Sequence, residues 1–405
     1  MRITEVEIIP IYPRLVARAA AYNAHFPNWN LRTVFRVRAE NGLVGYGDYR
    51  CPPPDGAVAK LLIGRSPFEF LGNDLNPGLG GALYDLMGKQ LDLPAHRLLG
   101  QQVRRRVSVA AWTKPVPPET LSAEVQRAVS EGYSIMKMHS SDYYDILEQN
   151  GAVEAVAPPG FRMHYDFNHN RGLAAVLPIL RQLEGSPVVG FVEDPLRASD
   201  VSAWQDLRRR VRIPLIMHPT PLGGFQEAHL GLADAYMSNG QIGLTLRRGG
   251  AWEAAGAGGL LQITGGTLTK ALAMHLAAVI PACTMHTVNL DDQYEDDITT
   301  ERIPVAAGTS PVPDGPGLGM EVDEDALARL AATPPTPVPR HVAVLRLADG
   351  HTITFPSLTT VNVQAMTGRE EGTIRGLRLE LWDDDGSPAF QRAHERVQTG
   401  PFLSG

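Results

Sequence analysis

Residues 161–170 read FRMHYDFNHN, and two comparable stretches follow, VGFVED at 189–194 and IPLIMH at 213–218. Each is a short apolar run of strand type carrying a ligand-type side chain at its end: Asp166, Glu193 and His218. The three stand 27 and 25 residues apart. That is about the length of one strand, one helix and two loops. In a parallel barrel the ends of successive strands converge on one face, so groups spaced this way meet at one point. The pattern predicts an α/β barrel with a site at its mouth, and therefore an enzyme.

Working outward, further strand-like runs lie at 107–112 (VSVAAW), 134–138 (SIMKM), 235–238 (AYMS), 260–264 (LLQIT) and 283–288 (CTMHTV). Helical patterns fill gaps at 119–131, 142–156, 172–183, 199–210 and 269–279. This makes eight strands with helices between them, the count of a (β/α)₈ barrel. Before it, residues 2–12 and 33–47 read as strands with a hairpin signal at Asn41-Gly42, and 81–99 reads as helix. The expected organisation is an α+β unit over 1–106, a barrel over 107–330 and a β-rich extension over 331–405. Pro/Gly-rich 308–319 and 333–339 mark the barrel exit, and residues 340–381 alternate again.

At 405 residues the chain exceeds one compact core. A net charge of −7, without a Lys/Arg stripe, argues against nucleic acid as a partner. The triplets RRR at 104–106 and 208–210 read as solvated faces. Cys51 and Cys283 are the two cysteines, so no disulfide framework is expected and a reducing cytoplasm is. The opening MRITEVEIIPIYP alternates like a strand and lacks a signal-peptide core; no run reaches the ~18 apolar residues of a membrane span.

A charged group at the end of a buried strand needs a partner. For Asp166 and Glu193 that partner is a divalent cation such as Mg²⁺, which prefers carboxylate oxygen, or else an arginine. Asn168 shares the side of Asp166 if the strand continues and would hold a ligand water or substrate. His218, as an imidazole, opens the metal choice to Mn²⁺ or another divalent ion; contact with substrate and a structural role stay open beside ligation. Lys137 and His139 flank Met138 and share one side of their strand, which suits a general base near a cation; nearby positive charge is expected to lower the lysine pKa. Across the mouth, Lys270 and His286 are the candidate acids, with Asp291, Asp292 and Glu295 beyond them. The glycine turn at 265–267 is a second place where an anion could sit, on helix N–H groups.

At these residues the chain resembles the enolase superfamily, and within it the mandelate racemase/muconate lactonizing group. The markers are MRITEVEIIP, NGLVGYGD, ALYDLMGKQLDLPAHRLLG, KMH, DFN, VEDP, HLAAVIP and PVPDGPGLGMEVDEDAL, spread from Met1 to about residue 327. The resemblance implies an α+β capping domain over a modified TIM barrel, (β/α)₇β, and a Mg²⁺-assisted removal of the proton α to a carboxylate. By position, Asp166 and Glu193 match the first two metal ligands and Lys137 the first lysine of a Lys-x-Lys pair. His139 replaces the second lysine, the usual base. His218 falls where the third carboxylate ligand belongs, Asn239 where strand six supplies a base or a dyad aspartate, and Thr267 where the dyad histidine would be. The loop holding His25, Trp29 and Arg32 corresponds to the stretch that covers substrate.

The expected function is α-proton abstraction from a hydroxy acid or acid sugar, with dehydration to a 2-keto acid ahead of epimerisation or cycloisomerisation. A small-molecule carboxylate is the expected partner, and a homo-oligomer the expected assembly. The rival readings are a divergent, non-catalytic metal or ligand binder and an unrelated phosphate-binding barrel.

Overall fold

The computed structural model describes residues 1–141, 143–169, 171–218, 220–361 and 375–405. Part of the stretch expected to alternate (362–374) and the first residue of the helix expected at 142–156 lie outside the described residues.

Three antiparallel strands open the chain: β1 (Ile3–Ile11), β2 (Arg32–Ala39) and β3 (Val44–Tyr49), in the order β1-β2-β3. Helix Pro77–Leu91 lies on β3, with Asn76 accepting from Gly78 N–H as its cap and Pro77 at its first position. The approach is so close that a Cβ on Gly45 would meet the Ala82 carbonyl at 2.2 Å. The helix expected over 81–99 is two helices. Asp92 turns left-handed at φ 54° and Pro94 follows, so the chain breaks before restarting at His96–Leu99.

All eight barrel strands form: β4 (Arg106–Thr113), β5 (Ile135–His139), β6 (Arg162–Asp166), β7 (Val189–Glu193), β8 (Leu215–Met217), β9 (Ala235–Ser238), β10 (Gly258–Leu261) and β11 (Thr287–Val288). They pair in parallel in the order β10-β9-β8-β7-β6-β5-β4-β11, and a bridge from Gln262 to Val288 joins the two ends. Helices follow β4 to β10, seven in all among the described residues, whereas β11 runs into a short 3₁₀ turn at Asp291–Gln293. The architecture is therefore (β/α)₇β, with an eighth strand that carries no helix. The Pro/Gly-rich exit is not merely a linker: β12 (Thr309–Pro311) pairs antiparallel with β4.

Outward-facing residues of the barrel join the main core with the helices, including Met136, Met138, Met163, Tyr165 and Val192. Inward-facing ones form two smaller clusters, Ala110, Trp112, Val288 and Leu290 on one side and Ile216, Ala235, Met237 and Leu260 on the other. Lys137, His164, Glu193 and His286 belong to this inward set, and all are fully buried.

The C-terminal extension builds a four-stranded antiparallel sheet from β13 (His341–Arg346), β14 (Thr352–Phe355), β15 (Arg378–Asp383) and β16 (Phe402–Ser404), in the order β15-β13-β14-β16. Helix Pro388–Val397 covers it through Phe390 and Val397 against Val342. The sheet's other face packs on Tyr143 and Tyr144, in the loop after β5, and on Phe26.

Candidate active site

The register of the parallel strands brings the key side chains to two levels of the barrel. Lys137 pairs with His164, and one level up His139 pairs with Asp166, which pairs with Glu193. His218 follows one residue after β8. The arithmetic of one ligand per βα unit thus becomes one layer of functional groups at the strand ends.

Lys137 Nζ lies 3.0 Å from Asp166 Oδ2, 2.6 Å from Glu193 Oε2 and 2.7 Å from Gln262 Oε1. Glu193 is shared further: His164 Nε2 stands 2.7 Å from Oε2 and His218 Nδ1 3.2 Å from Oε1. His164 Nδ1 in turn lies 2.8 Å from His286 Nε2. His139 Nε2 is 3.2 Å from Asp166 Oδ2, and its ring meets the edge of Trp112 at 5.2 Å between centroids.

Burial would raise the Glu193 carboxyl, but Lys137, then His164 and His218, outweigh it and hold it well below the ordinary range. The expectation of a lowered Lys137 pKa is corrected: burial pulls it down, but Asp166 and Glu193 outweigh this and hold the amine above its usual value. His139 behaves in the opposite way. Burial dominates, Lys137 and Lys114 add to it against Asp166 and Glu193, and the imidazole is lowered to about 4, hence neutral at pH 7.

The donor set fits a divalent cation. Both Glu193 oxygens are buried and neither has a partner in hydrogen-bonding geometry, although three nitrogens stand within 3.2 Å. Glu193, Asp194 and His218 each offer a ligand atom within 4.8 Å of the others. Asn239 Oδ1 pairs with His218 Nε2, which fixes the ring and leaves Nδ1 facing Glu193. Asp194 is a residue the sequence reading passed over. It sits left-handed at φ 48°, accepts from His218 N–H at 2.9 Å and faces His169 Nε2 at 2.7 Å. His164 was passed over as well, though it stands two residues before Asp166 on one strand and so shares its side. Asn168 turns left-handed at φ 54°, its N–H donating to Asp166 Oδ1 at 2.9 Å, so it buttresses Asp166 instead of continuing the strand.

Several candidates lie elsewhere. Lys270 Nζ is buried on Asp291 Oδ2 at 3.0 Å and the Ile303 carbonyl at 3.1 Å, not at the mouth. His286 is inside the barrel behind His164, where burial drives its pKa well down. Asp292 pairs with Arg18 at 3.0 Å and Arg127 at 3.4 Å. His25 turns to Asp383 of the extension at 2.6 Å. Trp29 does flank the mouth, stacked on Trp112 at 5.6 Å.

Arg32 is fully buried between Asp48 (Nε to Oδ2, 2.7 Å) and Asp297 (Nη2 to Oδ1, 2.9 Å), so the carboxylates it holds are the protein's own. The same aspartates cap helix Thr267–Val279: Asp48 accepts from Gly266 and Thr269 N–H, and Asp297 from Thr267 N–H and Oγ1. The glycine turn expected as an anion site is therefore filled by these carboxylates. Gly266 is needed there because a Cβ would sit 2.0 Å from the Arg32 guanidinium.

Comparison with known proteins follows the same lines. Residues 120–326 match the family described as enolase C-terminal domain-like. D-galactonate dehydratase from Xanthomonas campestris pv. campestris strain B100 is 23% identical over 379 residues, covering 80% of this chain and 97% of its own. Among solved structures, a mandelate racemase/muconate lactonizing family protein from Azoarcus sp. EbN1 aligns with a TM-score of 0.69 at 21% identity, over 82% of this chain and 98% of its own. Muconate cycloisomerase from Pseudomonas fluorescens gives 0.68 at 21%, over 81% and 98%. With its barrel, its strand-end carboxylates and these matches, the chain belongs to the enolase superfamily, in the mandelate racemase/muconate lactonizing-like group.

Proposed function

We propose that this enolase-superfamily enzyme removes the proton α to the carboxylate of a hydroxy acid or acid sugar and expels the β-hydroxyl, yielding a 2-keto acid. The observation that carries the reading is the place of His139, level with Asp166 and Glu193 and 27% exposed at the mouth, where burial lowers its pKa to about 4 and so favours the unprotonated ring. A base must be unprotonated and within reach of solvent-delivered substrate; the fully buried, doubly ion-paired Lys137 is neither. Asp166, Glu193 and His218, with Asp194 beside them, are the residues that would hold a divalent cation such as Mg²⁺. A cation held there would supply positive charge to a substrate carboxylate.

In this reading His139 accepts the α-proton at a ring nitrogen. Lys137 stays protonated and keeps its place on Asp166 and Glu193, beneath the level of His139. The imidazolium of His139 then returns its proton to the departing hydroxide. One C–H and one C–O bond break, a C=C bond forms, water leaves, and the enol becomes the 2-keto acid. The two side chains expected across the mouth, Lys270 and His286, are turned elsewhere. That favours elimination over racemisation, which needs a base on each face. The dehydratase name of the Xanthomonas relative points the same way and makes D-galactonate the first acid to try.

The test is proton NMR in D₂O with Mg²⁺ and, separately, Mn²⁺, across aldonic and other hydroxy acids. The expected result is a 2-keto-3-deoxy acid from at least one substrate, lost in His139→Ala. Exchange of the α-proton into a new stereoisomer without keto acid would overturn dehydration. Unchanged turnover in His139→Ala would remove His139 as the base.

A further inference from the structure

A cavity of about 470 Å³ lies where three parts of the chain meet. Helix Ala17–Asn23 and Phe26 come from the N-terminal part, Lys114 to Pro117 follow β4, and Leu358, Leu379 and Leu381 come from the extension. Its lining includes none of Lys137, His139, Asp166, Glu193 or His218. Trp29 and Trp112, stacked on each other, stand between Lys114 and His139. The extension's contribution lies beyond residue 326, where the family match ends.

Charges in the cavity wall are nearly all neutralised locally. Arg18 pairs with Glu124 at 3.2 Å and with Asp292 at 3.0 Å. Lys114 is different. It is 7% exposed, and among the described residues no carboxylate stands within ion-pair distance of it. Its Nζ is sandwiched 3.3 Å from the Phe26 ring centroid and 3.8 Å from that of Trp29. Two aromatic faces favour an ammonium there but supply no counter-charge. Burial, with Arg50 nearby, holds the amine well below the ordinary lysine range. Burial without an anion disfavours the ammonium form, and an arriving carboxylate would restore it as an ion pair. The remaining wall is largely apolar, with Val116, Leu358, Leu379 and Leu381 prominent, and the volume is that of a small-molecule pocket.

We propose that this cavity, beside the barrel mouth and divided from it by Trp29 and Trp112, is a second ligand site for a monocarboxylate with an apolar body, its carboxylate on Lys114 and its hydrocarbon against the leucines of the extension. The site stands whether or not the reaction proposed above is right.

Titration calorimetry on the full-length protein tests it, with hexanoate and 3-phenylpropanoate as probes and hexanamide as the uncharged control. The expected result is saturable one-to-one binding of the acids, with the amide weaker by about tenfold or more, the worth of a charged hydrogen bond. Lys114→Met should weaken the acids by a similar factor. Leu379→Trp, which fills the cavity from the extension and leaves Lys114 in place, should abolish binding even if the lysine variant fails to fold. Glu193→Gln should leave binding unchanged. No saturable binding, equal binding of acid and amide, or loss of binding in Glu193→Gln would each overturn the proposal, the last by moving the probe to the barrel mouth.

Discussion

Replacing Arg32 with methionine should destabilise the protein by about 3–5 kcal/mol, because it leaves two buried carboxylates facing each other without their shared cation. Methionine keeps much of the volume, so the loss is of charge more than of packing. Asp48 keeps its bonds from Gly266 and Thr269, and Asp297 keeps those from Thr267 and Ile298, which sets the effect nearer the lower figure. The acid dependence gives a second handle. Burial pushes Asp297 up, but Arg32 and then Thr267 outweigh it and hold its pKa at about 2. A folded pKa below the unfolded value means stability that is full above about pH 4 and is lost as pH falls toward 2, roughly 2–3 kcal/mol for this one group. In Arg32→Met that contribution should vanish from the window between about pH 4 and 2. Urea unfolding followed by far-ultraviolet circular dichroism, at pH 7 and stepwise down through the acid range, measures both. A loss under about 1 kcal/mol at pH 7 with an unaltered acid slope would refute the shared-cation argument.

Three further outcomes follow from the geometry. His139→Ala should lower kcat by about 10²–10⁴ on whichever acid NMR identifies, with an unchanged circular dichroism spectrum. Chelation by EDTA should abolish turnover and Mg²⁺ restore it, whereas Glu193→Gln should show neither restoration nor an Mg²⁺-dependent rise in Tm by scanning fluorimetry, since Glu193 belongs to the donor group with Asp194 and His218. Arg375 pairs with the fully buried Asp145, which also caps helix Ile146–Glu154, so Arg375→Ala should speed proteolysis within the extension, read by mass spectrometry of fragments; an unchanged cleavage pattern would mean the pair does not anchor it.

The barrel was legible because its signals are local. An apolar run every 25 or so residues and an interior side chain at each second position survive any detail of packing, and they led to Asp166, Glu193, Lys137 and His139 as neighbours. Side chains whose meaning depends on a distant partner were not legible. Arg32 reads as part of the loop that covers substrate until Asp297, 265 residues away, is seen to hold it. Lys270 and Asp292 lose their candidacy in the same way, to Asp291 and to Arg18. Asp194 eluded the alternation argument because its left-handed backbone swings it back beside Glu193. Lys114 gave no signal at all, since its aromatic cage and cavity are assembled from three separate parts of the chain.

The pairing of β4 with β11 also bears on how the protein is made. Val109 meets Thr287, 178 positions later in the chain. At a synthesis rate of about 5–20 residues per second, the first barrel strand waits about 10–40 s on the ribosome before its partner exists. During that interval one edge of a growing parallel sheet stays open to other nascent chains. Slow codons or a low temperature between these two strands would lengthen the exposure, so the yield of soluble protein should depend on translation speed through this segment more than through the extension, whose strands pair over much shorter distances.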